Sequence, residues 1–226
     1  MAGSGAVTRN TLRQQIADAL RDEVLAGRLQ PGQEFTVKQI AEQYGVSATP
    51  VREALVDLSA QGLLDSDQHR GFRVHEFSVD DYRGMVEARS LIGDGIFLRI
   101  TERGPDAGGS VALVSVRRRA EEAGRAARVG DLDILVGYDL RFWRELGALA
   151  GNVYISEFLH RIRVQCWVFA VPHLRRHSRL DEVLWSGHGE LADAVTRGDG
   201  EAAREAVQAY DEHALAWAAR LERARP

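Results

Sequence analysis

A single cysteine, Cys166, in 226 residues excludes an internal disulfide. Its apolar neighbours Trp167, Val168 and Phe169 mark it as a buried, inert thiol rather than a nucleophile. No apolar run reaches the length of a bilayer-spanning helix, and residues 1–7 carry neither the basic nor the apolar region of a secretory signal. Those residues read as a disordered leader, and the chain as cytoplasmic with no membrane partner. A positive excess is also missing: 29 Lys and Arg stand against 33 Asp and Glu, a formal charge of -4. Any nucleic-acid binding must therefore come from where the basic groups sit, not from their number. No Ser-His-Asp spacing and no nucleotide-binding glycine loop is present, which leaves little for an enzyme to work with.

What the chain does have is a 45% apolar, 27% charged composition, enough for one large or two small cores. The stretch that organises the rest is Gly45-Val46-Ser47-Ala48-Thr49-Pro50-Val51-Arg52-Glu53-Ala54-Leu55. Gly45 can take the positive φ of a tight turn, Ser47 or Thr49 can cap the next helix, and Pro50 suits its first turn. Val51, Ala54, Leu55 and Leu58 then form a buried stripe. Upstream, Leu12, Ile16, Leu20 and Val24 recur every four residues, predicting a helix over 8–26 capped by Thr8 or Asn10. Leu29-Gln30-Pro31-Gly32 ends it, and a short second helix runs from Thr36 to Tyr44. After Gly62, Leu63–Ser66 and Gly71–His75 read as two strands around a polar loop. Three helices and such a hairpin make a winged helix, expected over 8–76. An ordinary helical hairpin would share the Gly-then-Pro signal but not this context.

From Ser78, a cap residue followed by acids, the pattern stays helical, and no stretch alternates with period two. Helices are predicted near 79–103, 107–129, 131–150, 152–170, 179–197 and 199–224, broken at Gly104-Pro105, Gly130-Asp131, Gly151-Asn152, Pro172 and Gly198-Asp199. The fold class is thus mostly α: an N-terminal winged helix-turn-helix with a small β-hairpin wing, then an all-α antiparallel helical bundle over 77–226. Arg117-Arg118-Arg119, balanced by Glu121 and Glu122, reads as a solvated helix face.

The order of parts resembles the GntR transcriptional regulators. The resemblance rests on Leu29-x-Pro31-Gly32, on Ile40-Ala41-Glu42-x-x-Gly45-Val46-Ser47-x-Thr49-Pro50-Val51-Arg52-Glu53-Ala54-Leu55, on Leu58-x-x-x-Gly62-Leu63-Leu64, and on the Gly71 wing. The second half is similar to the effector domain of the FadR-like branch, called FCD, through Glu87-Ala88-Arg89, Asp139-Leu140-x-Phe142, Gly151-Asn152, and His188 ahead of Gly198-Asp199. It implies DNA contacts at Lys38, Ser47, Thr49 and Arg52, and at Arg70 and Gly71 in the wing. Ala48 stands where these regulators often carry arginine, which implies one side-chain contact fewer. The resemblance also implies a homodimer on a double-stranded operator.

Many FCD domains hold a metal with an aspartate, a histidine four residues later and two further histidines. Here Asp139 and His188 match, while Trp143 and Tyr210 occupy the other two positions, and an indole is not a metal ligand. No cofactor is therefore expected; a shifted set of Asp139, His188 and His213 is the remaining alternative. The pocket is expected instead to take a small organic effector, a carboxylate, with Arg89 as a planar fork, Trp143 as an apolar wall, and His188 and Tyr210 as hydrogen-bond donors beside Asp139. The bland alternative has Arg89 paired with Asp139 and the aromatics filling core. Two rival functions stay open at this point: a helical-bundle hydrolase or lyase, and a winged helix used for protein contacts.

Overall fold

A computed structural model of the chain describes residues 12–67, 71–102 and 109–223. The expected leader, the caps Thr8 and Asn10, and Arg70 lie outside the described residues. The chain divides into two compact units, the first ending at Glu76 and the second beginning at Phe77.

In the first unit, α1 (Leu12–Leu25) buries Ile16, Leu20 and Val24 of the stripe read from the sequence, with Ala17 and Leu25 beside them, while Leu12 at the helix start is exposed. Helix α2 (Val37–Tyr44) starts at a reciprocal cap: the Thr36 hydroxyl accepts from the Gln39 backbone N–H at 3.2 Å, and the Thr36 N–H donates to the Gln39 side chain at 2.7 Å. Such a box satisfies two N–H groups that a helix start leaves open. Gly45, at φ 64°, ends α2 in the left-handed region, and α3 (Ala48–Ala60) begins after two intervening residues. Val51, Ala54, Leu55 and Leu58 of α3 are all buried. Each buried Val or Leu contributes about 1.5–3 kcal/mol of hydrophobic stabilisation, so this stripe is what pins the helix-turn-helix together.

The strands form an antiparallel sheet in the order β1-β3-β2, with β1 (Glu34–Phe35), β2 (Leu64–Asp67) and β3 (Gly71–Val74). Strand β1 is an addition to the expected hairpin. Its two residues are too few to show an alternating pattern, yet Phe35 is buried opposite Phe72.

The second unit is a helical bundle of α4 (Val79–Glu102), α5 (Gly109–Val129), α6 (Leu132–Ala148), α7 (Val153–Leu174), α8 (His188–Thr196) and α9 (Gly200–Arg223). Side chains cap four of these helices: Ser78 for α4, Asp131 for α6, Asn152 for α7 and Asp199 for α9. Ala120, Ala123, Ala126 and Ala127 of α5 are wholly buried, and their small side chains let α5 lie close along α6 and α8. Phe142, Leu146 and Leu191 sit in the core those helices share. The expected Arg face of α5 is partly tied down, with Arg117 on Asp193 at 2.7 Å and Arg119 on Glu145 at 3.2 Å.

Two expected boundaries are corrected. Helix α7 continues through Pro172 to Leu174; a proline this near a helix end forfeits one backbone bond in a turn already about to finish. The helix expected over 179–197 begins only at His188, preceded by a short 3-10 turn at Leu180–Glu182. That delay matters, because it places His188 at the first turn of α8 with its ring buried.

Candidate functional site

The first unit presents the α3 start to solvent. Ser47, Ala48, Thr49 and Arg52 are exposed. Ser47 occupies the cap position in backbone conformation, but its hydroxyl makes no capping bond, contrary to the expected side-chain cap. Lys38, paired loosely with Glu42 at 3.8 Å, lines an open cleft together with Ala48 and Arg52. The structure thus brings Lys38, Ala48 and Arg52 to one surface, with a helix N-terminus beside them. Free N–H groups and short hydroxyls at such a terminus suit phosphate, and a long guanidinium suits a base edge. Gly71 opens β3 opposite Asp67, at φ 103°.

The second unit hides a polar cluster. Asp139 on α6 is buried and accepts three hydrogen bonds. Trp143, one turn along, donates its indole N–H to Oδ1 at 3.0 Å; His188 Nε2 meets the same oxygen at 2.9 Å; and the Trp167 indole of α7 donates to Oδ2 at 2.7 Å. Burial opposes ionisation of Asp139, but the bond and charge of His188 and the Trp167 indole outweigh it and hold the carboxyl below the usual carboxylate range. Arg89 on α4 does not reach Asp139, as the bland alternative had it. It pairs with Asp211 of α9 at 2.8 Å and donates to the Tyr210 hydroxyl at 3.2 Å. Burial raises the Tyr210 phenol to about 12, so it serves as a neutral group.

Between these helices lies a cavity of about 70 Å³ whose polar wall is Arg89, Asp139, Cys166, His188, Tyr210 and His213, with Trp167, Trp185 and Trp217 among its apolar residues. Four of the five residues expected to bind an effector, Arg89, Asp139, His188 and Tyr210, therefore line this cavity. Trp143 is not. It stands behind, its N–H spent on Asp139 and its ring meeting Phe142 edge-to-face, Tyr210 at a tilt and the guanidinium of Arg163 over its face. Cys166 is buried, and burial pushes its thiol up, away from reactivity.

The residues present do not fit a metal ion. Both Asp139 oxygens already face N–H hydrogens, and His188 Nε2 points at the same carboxylate. His213, the third member of the shifted set, gives its Nε2 to the Val183 carbonyl at 2.9 Å. Among the described residues no three His, Cys, Asp or Glu side chains are placed to share an ion. The two indoles and the imidazole satisfy the aspartate in place of a cation.

Reading from residue types overlooked Arg163, Trp167 and Trp185. Arg163 carries a signal: it is a lone charge at core spacing on α7, four residues after buried Leu159 and three before buried Cys166.

A three-helix unit with a three-stranded wing and an exposed helix start is a winged-helix DNA reader, here followed by a helical bundle with a buried polar cavity. The chain belongs to the GntR family of bacterial regulatory proteins, in the branch with a C-terminal FCD domain: residues 7–74 match the family described as Bacterial regulatory proteins, gntR family, and residues 84–213 match the FCD domain. It is 30% identical over 213 residues to the protein described as probable D-xylose utilization operon transcriptional repressor of Paenarthrobacter nicotinovorans, covering 91% of this chain and 88% of that one. It is 37% identical over 76 residues, 34% of each chain, to the HTH-type transcriptional regulator McbR of Escherichia coli. The solved structure of E. coli McbR/YncC superposes with a TM-score of 0.77 at 21% identity, over 95% of this chain and 100% of that one. The protein is thus a DNA-binding transcription regulator of a family that is not enzymatic, and no helix among the described residues is long and apolar enough to cross a membrane.

Proposed function

We propose that the chain acts as a homodimeric repressor whose operator affinity is set by a small organic acid held in the helical unit. The observation that carries this reading is the cavity, which a guanidinium, an imidazole and a phenol line among indoles. The P. nicotinovorans relative, described as a probable repressor, supports the sign of regulation. Two half-sites need two readers at fixed spacing, which supports a dimer. The acid weakens DNA binding only as far as it prefers the dimer geometry that does not fit the operator. Lys38, Ser47, Thr49 and Arg52 serve as the DNA-contacting groups, with Arg70 and Gly71 in the wing.

The test is fluorescence-anisotropy titration of DNA from the regulator's own upstream region. Arg52→Ala is expected to weaken specific binding about 10- to 100-fold, the worth of a lost base contact, while nonspecific binding changes far less. An Arg52→Ala protein that binds that DNA as tightly as the parent would sink the assignment. Organic acids are expected to release the DNA and D-xylose to leave it bound, because a neutral sugar offers the guanidinium no charge.

A further inference from the structure

The cavity of the helical unit, about 70 Å³, is small against the several hundred Å³ usual for small-molecule sites, so a ligand must move part of the wall. Of the residues that line it, Trp167, Val183, Trp185, Tyr210 and His213 reach solvent in part, and the others are buried. Four of these five are tied. Trp167 donates its indole N–H to Asp139 at 2.7 Å, the Tyr210 hydroxyl accepts from Arg89 at 3.2 Å, and His213 Nε2 donates to the Val183 carbonyl at 2.9 Å. Trp185 is held differently. It lies in the connector between the 3-10 turn and α8, outside any helix, and its indole N–H bonds to no described residue. Packing alone keeps the ring in place, with its centre 4.6 Å from that of His188 and 4.8 Å from that of Tyr210.

We infer that Trp185 is the gate of this cavity: its indole swings outward to admit a ligand while the connector that carries it stays in place. The swing gives up two ring contacts and no hydrogen bond, whereas moving any of the other four breaks a polar contact. The connector is anchored on both sides of Trp185. Before it, the Val183 carbonyl is held by His213; after it, the Ser186 carbonyl lies so close to Gly124 of α5 that a Cβ there would be 3.0 Å away. The closed position also has a seat made for it. A Cβ on Gly187 would lie 2.6 Å and 2.9 Å from the Trp185 ring carbons Cζ2 and Cε2. At φ -77° the Gly187 backbone suits any residue, so the ring, not the backbone, is what calls for glycine there. The gate deepens the effector reading by naming the way into the same cavity, and it rests on that reading for the nature of what enters.

Cys166, the single cysteine of the chain, lines the same cavity, so the rate at which the full chain reacts with methyl methanethiosulfonate, read by intact mass, reports how often the cavity opens. Trp185→Ala, which deletes the gate, and Gly187→Ala, whose methyl group pushes the indole off its seat, are each expected to react about 10-fold or more faster than the parent. Their rates are expected to stay nearly flat from zero to about 1 M urea, because a swinging side chain exposes almost no new surface. Rates that climb with urea as steeply as the unfolding equilibrium would show that Cys166 is reached by unfolding of the bundle, and the gate is then overturned. It is overturned as well if either variant reacts at the parent's rate. The effector reading is judged separately: organic acids that release the DNA while the variants react like the parent leave that reading standing and the gate fallen. Faster, urea-independent labelling with no acid able to release the DNA leaves the gate standing and the acid reading fallen.

Discussion

Asp139→Ala is expected to lower the unfolding midpoint of the helical unit by about 10 °C, the largest single effect on the bundle. The alanine leaves the Trp143 and Trp167 indoles and the His188 imidazole without their acceptor, and each buried donor left open costs about 1–3 kcal/mol. Asp139→Asn is expected to recover part of the loss: its carbonyl oxygen can still accept from Trp143 and His188, but its amide nitrogen meets the Trp167 N–H head on. A chelator is expected to leave the parent's midpoint unchanged, because no cation takes part. The pH dependence follows from the sign of the shift. Burial opposes the charge, but His188 and Trp167 hold the folded-state value of Asp139 below the unfolded one, so the folded chain binds this proton less tightly. Its stabilisation is fully present above the unfolded value near 4 and is lost as the pH falls through the lower folded value. Circular-dichroism melts between pH 3 and 7 should show the parent losing stability more steeply than Asp139→Ala at the acid end. A parent and variant with parallel profiles would remove Asp139 from this role.

The same aspartate shows where reading from residue types reaches its limit. Asp139, His188 and Arg89 were legible because they match a known pattern and Tyr210 because it departs from it, and all four line one cavity. Trp143 was legible as a departure, but its behaviour was not: an indole has both a face and an N–H, and only the fold decides that the N–H goes to Asp139 and the face to Arg163. Arg89 was expected either to meet a ligand's carboxylate or to pair with Asp139, whereas Asp211, a residue with no motif around it, holds it. Partners 122 residues apart in sequence leave no local trace. Helices with long apolar stripes were placed well for the same reason that β1 was missed: periodicity needs several residues to show itself, and a two-residue strand exists only because β3 offers it a partner. The late start of α8 escaped for a related reason, since a 3-10 turn and a helix draw on the same residues.

Gly71→Ala is expected to cost the winged helix about 2–4 kcal/mol, through a left-handed backbone and a steric clash together. At φ 103° an added Cβ would lie 2.6 Å from the Phe35 carbonyl oxygen, which belongs to the backbone of β1 and cannot rotate away. Strand β1 would have to leave β3, pulling the buried Phe35 from its place opposite Phe72. Gly45 is the natural control. It too has a positive φ, 64°, but an added Cβ there meets nothing within 4 Å, so Gly45→Ala is expected to cost only about 1 kcal/mol of backbone strain. Thermal melts of the two variants should separate accordingly, and anisotropy titrations on the upstream DNA should show Gly71→Ala weakened in step with its lost stability. That coupling is what a glycine shaping the wing predicts. A Gly71→Ala protein that melts like the parent yet binds DNA poorly would show instead that Gly71 matters by letting the wing backbone approach the phosphates.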